Sequence, residues 1–258
     1  MIKRVRPGRG IDLGPSLDGR IEKLSDLDEE TRAMARNSYG YGSWQAPCWF
    51  IGPEQGVGRH EKGDLESALG VRVAAWVKLG RLDLNDCGKF HCEIGEKNWH
   101  CKEPVNLQPT WRPLLLTLLT FLRASTDDEV LRAYQRDRWG RLDGETCVIE
   151  LSGLAAPDLE NANANPFLNE RIQVICERIR THQPRFVVMY GRMQRKSWCA
   201  IAKAVTGRLF PDGTETELPK TNILVHESTA LVWTPAPTAH GMKNEYWVRL
   251  GQRLRKRL

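Results

Sequence analysis

Residues 52–56, Gly-Pro-Glu-Gln-Gly, follow directly on the apolar run CWFI and set a carboxylate and an amide between glycines. A carboxylate held at the end of a strand can orient a water or stabilise a developing cation. That makes Glu54 the first candidate catalytic group, with capping of a following helix or pairing with an arginine as its plainer role. Gln55 and the backbone N–H groups of Gly52, Pro53-flanking residues and Gly56 are candidates for binding a base or a phosphate. Two further segments have the same shape, a strand running into small polar residues: LSGLAAP at 151–157 and TPAPTAHG at 234–241. Ser152, Thr234 and His240 are the polar groups they deliver. Pro235 and Pro237 stiffen the last loop, which suits a fixed ligand surface as well as a rigid strand exit.

A different chemistry is suggested by CGKFHCEIGEKNWHC, residues 87–101, with Cys87, His91, Cys92, His100 and Cys101. Such soft ligands can hold zinc or an iron–sulfur cluster. The spacing matches no standard zinc pattern, so no metal or other cofactor is assigned from it. Cys48, Cys147, Cys176 and Cys199 sit in apolar contexts and read as small core residues. The odd total of seven cysteines fits reduced thiols in a cytoplasmic protein.

The elements that must position these groups follow from periodicity. Residues 1–40 read as a basic arm with a short helix capped by Ser25 or Asp26, and 41–258 as one α/β domain. Strands are expected at 46–52, 146–154 and 185–191, then NILVHES as a fourth with ALVWTPAP as its partner. Helices are expected at 64–80, at 111–123 with Pro113 in the first turn, from Asp127, at 165–184, at 193–207 ending on Gly207, and at 241–256. Residues 81–109 read as irregular. Strands alternating with helices argue a three-layer α/β/α sandwich around a mainly parallel, four-stranded sheet. In such a sheet the three polar segments lie along one edge and can line one cleft.

In order, the segments GPEQG, LSGLAAP, NPFLNERIQVICERIRTHQPRFVVMYG and WTPAPTAHG resemble the uracil-DNA glycosylase superfamily over roughly residues 46–256. The resemblance implies hydrolysis of an N-glycosidic bond that releases a deaminated or damaged, uracil-like base from DNA. Glu54 falls where that family places its catalytic aspartate. Ser152 stands where the family often has a base-reading amide, and offers one hydroxyl instead; Asn161, Asn163 and Asn165 lie nearby. Thr234 stands where the family's last motif begins with histidine, so the leaving base loses an imidazole, with His240 six residues on. Trp49, Phe50 and above all Trp111 are candidates for stacking on an extruded base. Met242 is the sizeable apolar candidate for a wedge into the duplex. Arg192, Arg195, Lys196 and Lys243, with Pro235 and Pro237, are expected along the DNA path. The iron–sulfur cluster of thermostable branches is not carried over, because Cys87, Cys92 and Cys101 do not reproduce its spacing. The alternative is a glycosylase fold that binds nucleic acid or a nucleotide without catalysis.

Bulk properties agree with an anionic partner. The net charge is +6 and the isoelectric point about 9.0. The segment 249–258, RLGQRLRKRL, carries Arg249, Arg253, Arg255, Lys256 and Arg257 without an acid. It reads either as a solvated helix end or as a phosphate contact. No apolar stretch is long enough to span a bilayer, and the basic N-terminus lacks the apolar segment of a secretory signal. A monomeric cytoplasmic protein acting on DNA, single-stranded or damaged, is therefore expected, with no membrane partner.

Overall fold

The computed structural model describes residues 28–53, 65–154, 167–211 and 218–258. Glu54, Gln55 and Gly56 lie outside these, as do Ser25, Asp26 and the three asparagines at 161, 163 and 165. The described elements are α1 (Glu29–Asn37), β1 (Gly40–Gly42), β2 (Cys48–Gly52), α2 (Leu65–Lys78), β3 (Leu84–Asn85), α3 (Cys87–Glu93) and a 3-10 turn (Lys97–Trp99). Then follow α4 (Trp111–Phe121), α5 (Asp128–Asp137), β4 (Thr146–Glu150), α6 (Leu168–His182), β5 (Phe186–Tyr190), α7 (Arg195–Thr206), β6 (Asn222–His226), β7 (Thr229–Thr234) and α8 (Asn244–Arg257).

One sheet of seven strands, in the order β3-β1-β4-β2-β5-β7-β6, replaces the expected four. Its middle is parallel: β2 pairs in parallel with β4 and β5, and β5 with β7. The extra strands have identifiable causes. β1 is Gly-Tyr-Gly, which carries no strand signal, yet side chains at Gly40 and Gly42 would collide with the Val148 and Thr146 carbonyls of its antiparallel neighbour β4. β3 is two residues long. The segment NILVH forms β6, an antiparallel edge strand, and it is ALVWT, within β7, that continues the parallel block.

Alternation along the buried strands sends side chains to two faces. Phe50, Val148, Phe186, Val188 and Val232 pack with α3, α4, α5 and α8 on one face. Trp49, Ile51, Cys147, Ile149, Val187, Met189 and Leu231 pack with α6 and α7 on the other. Trp49 and Phe50 are fully buried, so both belong to the core. α4 is apolar nearly all round because it is covered by α5 and α8 as well as by the sheet.

Local chemistry sets the helix ends. Asp28 caps α1, its carboxylate accepting from the Thr31 amide at 2.8 Å. The Gln108 side-chain oxygen accepts from the amides of Thr110 and Trp111, at 2.6 and 2.8 Å, and so starts α4. Gly207, at φ 71°, ends α7 as expected. The stretch 81–109 is not irregular throughout: Asp86 caps α3 through the Lys89 amide at 2.9 Å. Nor are all its thiols reduced, since Cys92 and Cys101 form a disulfide. No described helix is long and apolar enough to cross a membrane.

Candidate functional site

The carboxyl ends of the four parallel strands lie in register. Gly52 pairs with Glu150 and Tyr190 with Thr234. Even-numbered alternation puts Glu150, Tyr190 and Thr234 on the α4 face of the sheet, together with the vacant side-chain position of Gly52. A Cβ at Gly52 would strike the Tyr190 hydroxyl, so this glycine is what lets the tyrosine ring lie across β2.

Above that edge is a partly open cavity of about 90 Å³, large enough for several waters or one small flat group. Its walls include Glu150 and Tyr190 from the sheet, Tyr41 from β1, Arg72 from α2, Glu96 and Trp111. Arg72 is 2% exposed and donates to Glu96 at 3.2 Å. Glu96 in turn lies 3.8 Å from His91 Nε2, and His91 also faces the cavity. Trp111 is packed edge-on to His91, tilted against His100 and backed by Trp139. Gln135, fully buried on α5, anchors the loop that carries this wall. Its amide nitrogen donates to the Trp99 and Asn106 carbonyls, at 2.9 and 2.8 Å, and its oxygen accepts from the Gln108 amide at 2.9 Å.

Burial dominates the electrostatics. It lowers His91 to a pKa of about 4 and His100 to about 3, the second helped by the first, so both rings are neutral near pH 7. Burial also pushes the Tyr41 hydroxyl far above its ordinary value, leaving it a hydrogen-bond donor. The cavity thus offers carboxylate, guanidinium and phenol groups around an indole wall. Such a set can hold a flat, hydrogen-bonding ring and stabilise or orient a reacting neighbour.

Behind the site, Arg171 fixes the end of β4. Its guanidinium donates to the carbonyls of Glu150 (2.7 Å), Leu151 (2.8 Å), Ala35 (3.0 Å) and Ser38 (2.8 Å), beneath the Tyr39 ring. Burial lowers its pKa to about 10, which still leaves it charged near neutrality. This clamp joins α1 to the sheet.

The expected site residues fall into three places. Trp111 lines the cavity and Gly52 forms its floor by way of Tyr190. Pro53 continues from that floor, its carbonyl accepting from the Ser152 amide at 2.8 Å. Ser152 itself turns inward on its own loop, its hydroxyl 3.2 Å from both the carbonyl and the amide of Leu154. It is Glu150, two residues earlier and the last residue of β4, that lines the cavity. Thr234 is buried, with its hydroxyl 2.6 Å from that of Tyr246, which also meets Thr221.

Arg192, Pro235, His240 and Met242 border a second, more apolar cavity of about 380 Å³ between the loops after β5 and β7. Met242 is half-buried against the α8 side of the core, whereas Met193 beside it is 63% exposed. Pro237 is buried and Lys243 exposed. Arg195 lies over the Trp233 ring at 5.1 Å, and Lys196 is exposed on the same helix turn. Both indoles, Trp198 and Trp233, donate to the Gly191 carbonyl, at 2.9 and 3.3 Å, which fixes the turn that presents these cations.

Glu150, Tyr190, Arg72 and Glu96 escaped the sequence reading. Glu150 carried a signal: it is the one charge within the buried run CVIELSGL. Arg72 and Glu96 carried none, because a charged residue on an amphipathic helix or in a loop reads as solvated. In comparisons with known proteins, no family model matches the chain and no curated protein matches it.

Proposed function

We propose that this chain is a divergent DNA glycosylase, with the partly open cavity receiving a base extruded from the strand. The observation that carries the reading is the position and lining of that cavity. It sits at the carboxyl edge of a parallel block, walled by an indole, two phenols and the Glu150 carboxylate. The order β4-β2-β5-β7, with helices on both faces, supports a glycosylase-like sandwich inside the larger sheet. On this reading Trp111 stacks on the base, Tyr190 and Tyr41 hydrogen-bond to its edge, and Glu54 acts at the sugar, stabilising the cation and orienting water. Glu150 supplies a second carboxylate, which holds a base N–H.

Excision is tested with oligonucleotides carrying uracil, hypoxanthine or xanthine, single- and double-stranded. Release of a base by the wild type, lost in Glu54→Gln and weakened in Trp111→Ala, is the expected result. Absence of release from every substrate, with binding retained, favours the second reading, a glycosylase fold that only binds nucleic acid or a nucleotide. Its support is Thr234: a hydroxyl already engaged by Tyr246 cannot supply the charge of an imidazolium to a leaving base.

A further inference from the structure

Cys87 and His91 are one helical turn apart on α3, so their side chains share a face. His100 returns to them from the end of the 3-10 turn. The Cys87 Sγ is 3.5 Å from His91 Nδ1 and 3.4 Å from His100 Nε2. All three donor atoms lie within 4.8 Å of one another, and all three residues are buried. A tetrahedral zinc, at about 2.3 Å from sulfur and about 2.0 Å from nitrogen, separates those atoms by about 3.5 Å. From the distances, donor types and burial we infer that Cys87, His91 and His100 form a binding site for one zinc ion.

The ligand set is borderline-soft and suits zinc over magnesium or calcium, which take oxygen donors. Three protein donors leave the fourth position to a water or another small ligand. Surrounding groups fit the assignment. Glu96 stands 3.8 Å from Nε2 of His91, the nitrogen opposite the donor, where a carboxylate orients a metal-bound imidazole. Arg72 holds that carboxylate from its other oxygen. Without metal, His91 Nδ1 shares its proton with the Cys87 carbonyl at 2.8 Å. Binding moves the histidine proton from Nδ1 to Nε2, toward Glu96, and Cys87 releases its thiol proton to solvent as it becomes a thiolate. The ion therefore binds with net loss of one proton. The Cys92–Cys101 disulfide ties α3 to the residue after His100 and holds the two halves of the site together without contributing a ligand. The inference is independent of the glycosylase reading.

The test is metal analysis of the intact chain followed by cobalt substitution. One equivalent of zinc per chain is expected. Cobalt should give visible bands of tetrahedral intensity together with a thiolate-to-cobalt charge-transfer band, and binding should release one proton. Cys87→Ser and His100→Ala should weaken binding by at least tenfold and, for the first, remove the charge-transfer band. Cys199→Ser should keep the metal and the charge-transfer band unchanged, and the double variant Cys92→Ser/Cys101→Ser should keep the charge-transfer band in whatever fraction stays loaded. Because Cys87→Ser could fail to fold, the wild-type cobalt spectrum stands as a separate criterion. No stoichiometric metal in the folded wild type, an octahedral cobalt spectrum without a thiolate band, or a charge-transfer band that persists in folded Cys87→Ser would each overturn the assignment.

Discussion

Gly52 controls the geometry of the cavity floor through what it lacks. Replacing it with alanine puts a methyl group where the Tyr190 hydroxyl lies, and the ring, which also lines the cavity, must move. Overpacking of this kind costs about 1–3 kcal/mol. Gly52→Ala is therefore expected to lower the urea midpoint modestly and to reduce base excision or ligand binding far more. A stability loss with an unchanged site would detach Tyr190 from function. The two carboxylates separate in the same way. Glu54→Gln should remove excision while leaving DNA affinity near wild type, whereas Glu150→Gln should alter which base is accepted. Identical effects of both variants would contradict the division of roles. At this scale the sequence pointed to the sheet edge that borders the cavity but not to every group on it. Ser152 lies two residues past Glu150, beyond the end of β4, and period-two reasoning cannot tell where the strand stops and the loop turns inward. A structure is needed to see that Leu154 occupies the serine.

Arg171 sits at the junction of α1, β4 and α6, and four carbonyls at 3.0 Å or less depend on it. Arg171→Met keeps the volume but leaves those acceptors buried without donors, an effect of about 3–5 kcal/mol. The expected outcome is a large drop in the urea midpoint together with early exposure of α1 in hydrogen exchange; uniform destabilisation without local opening would count against a clamp. The histidine pair makes a pH prediction for protein stripped of metal by a chelator. Unfolded histidine takes up a proton near pH 6.5, while His91 and His100 resist protonation until about 4 and 3. The unfolded state thus binds more protons below pH 6.5, and stability falls with falling pH by about 2 kcal/mol per ring at pH 5. Urea midpoints at pH 7 and pH 5, compared with those of His100→Gln, measure it; equal pH dependence in the two proteins would refute the burial of His100. Elements with strong periodicity, α4, α6 and β5, were legible in advance. β1, β3 and α3 were not, because Gly-Tyr-Gly, a two-residue strand and a seven-residue helix are specified by their neighbours' carbonyls and caps.

Two groups of basic residues were expected to meet phosphate, one past the ends of β5 and β7 and one at the end of α8. Thr117 donates to the Trp247 carbonyl at 3.0 Å, and Arg255 reaches the Thr120 carbonyl at 3.4 Å, so α4 and α8 run in the same direction. α4 begins at the cavity with Trp111, and α8 therefore carries Arg255, Lys256 and Arg257 away from it, about 20 Å along its 14 residues. Arg192, Arg195 and Lys196 follow β5 and Lys243 follows β7, all past the carboxyl ends of the parallel strands. The sequence showed both groups and their charge, but the distance between them depends on how two helices pack. If a strand enters along the carboxyl edge, the cations there neutralise its phosphates and those at the end of α8 do not. DNA affinity should then fall steeply with salt. Removing Arg192, Arg195 and Lys196 together should reduce the log–log slope by about 2–3, while removing Arg255 and Lys256 should change it by less than about 1. Titrations of a fluorescent oligonucleotide at several salt concentrations read both slopes. A larger loss from the α8 pair would place the phosphate path at the far end of the molecule and separate nucleic-acid binding from the cavity.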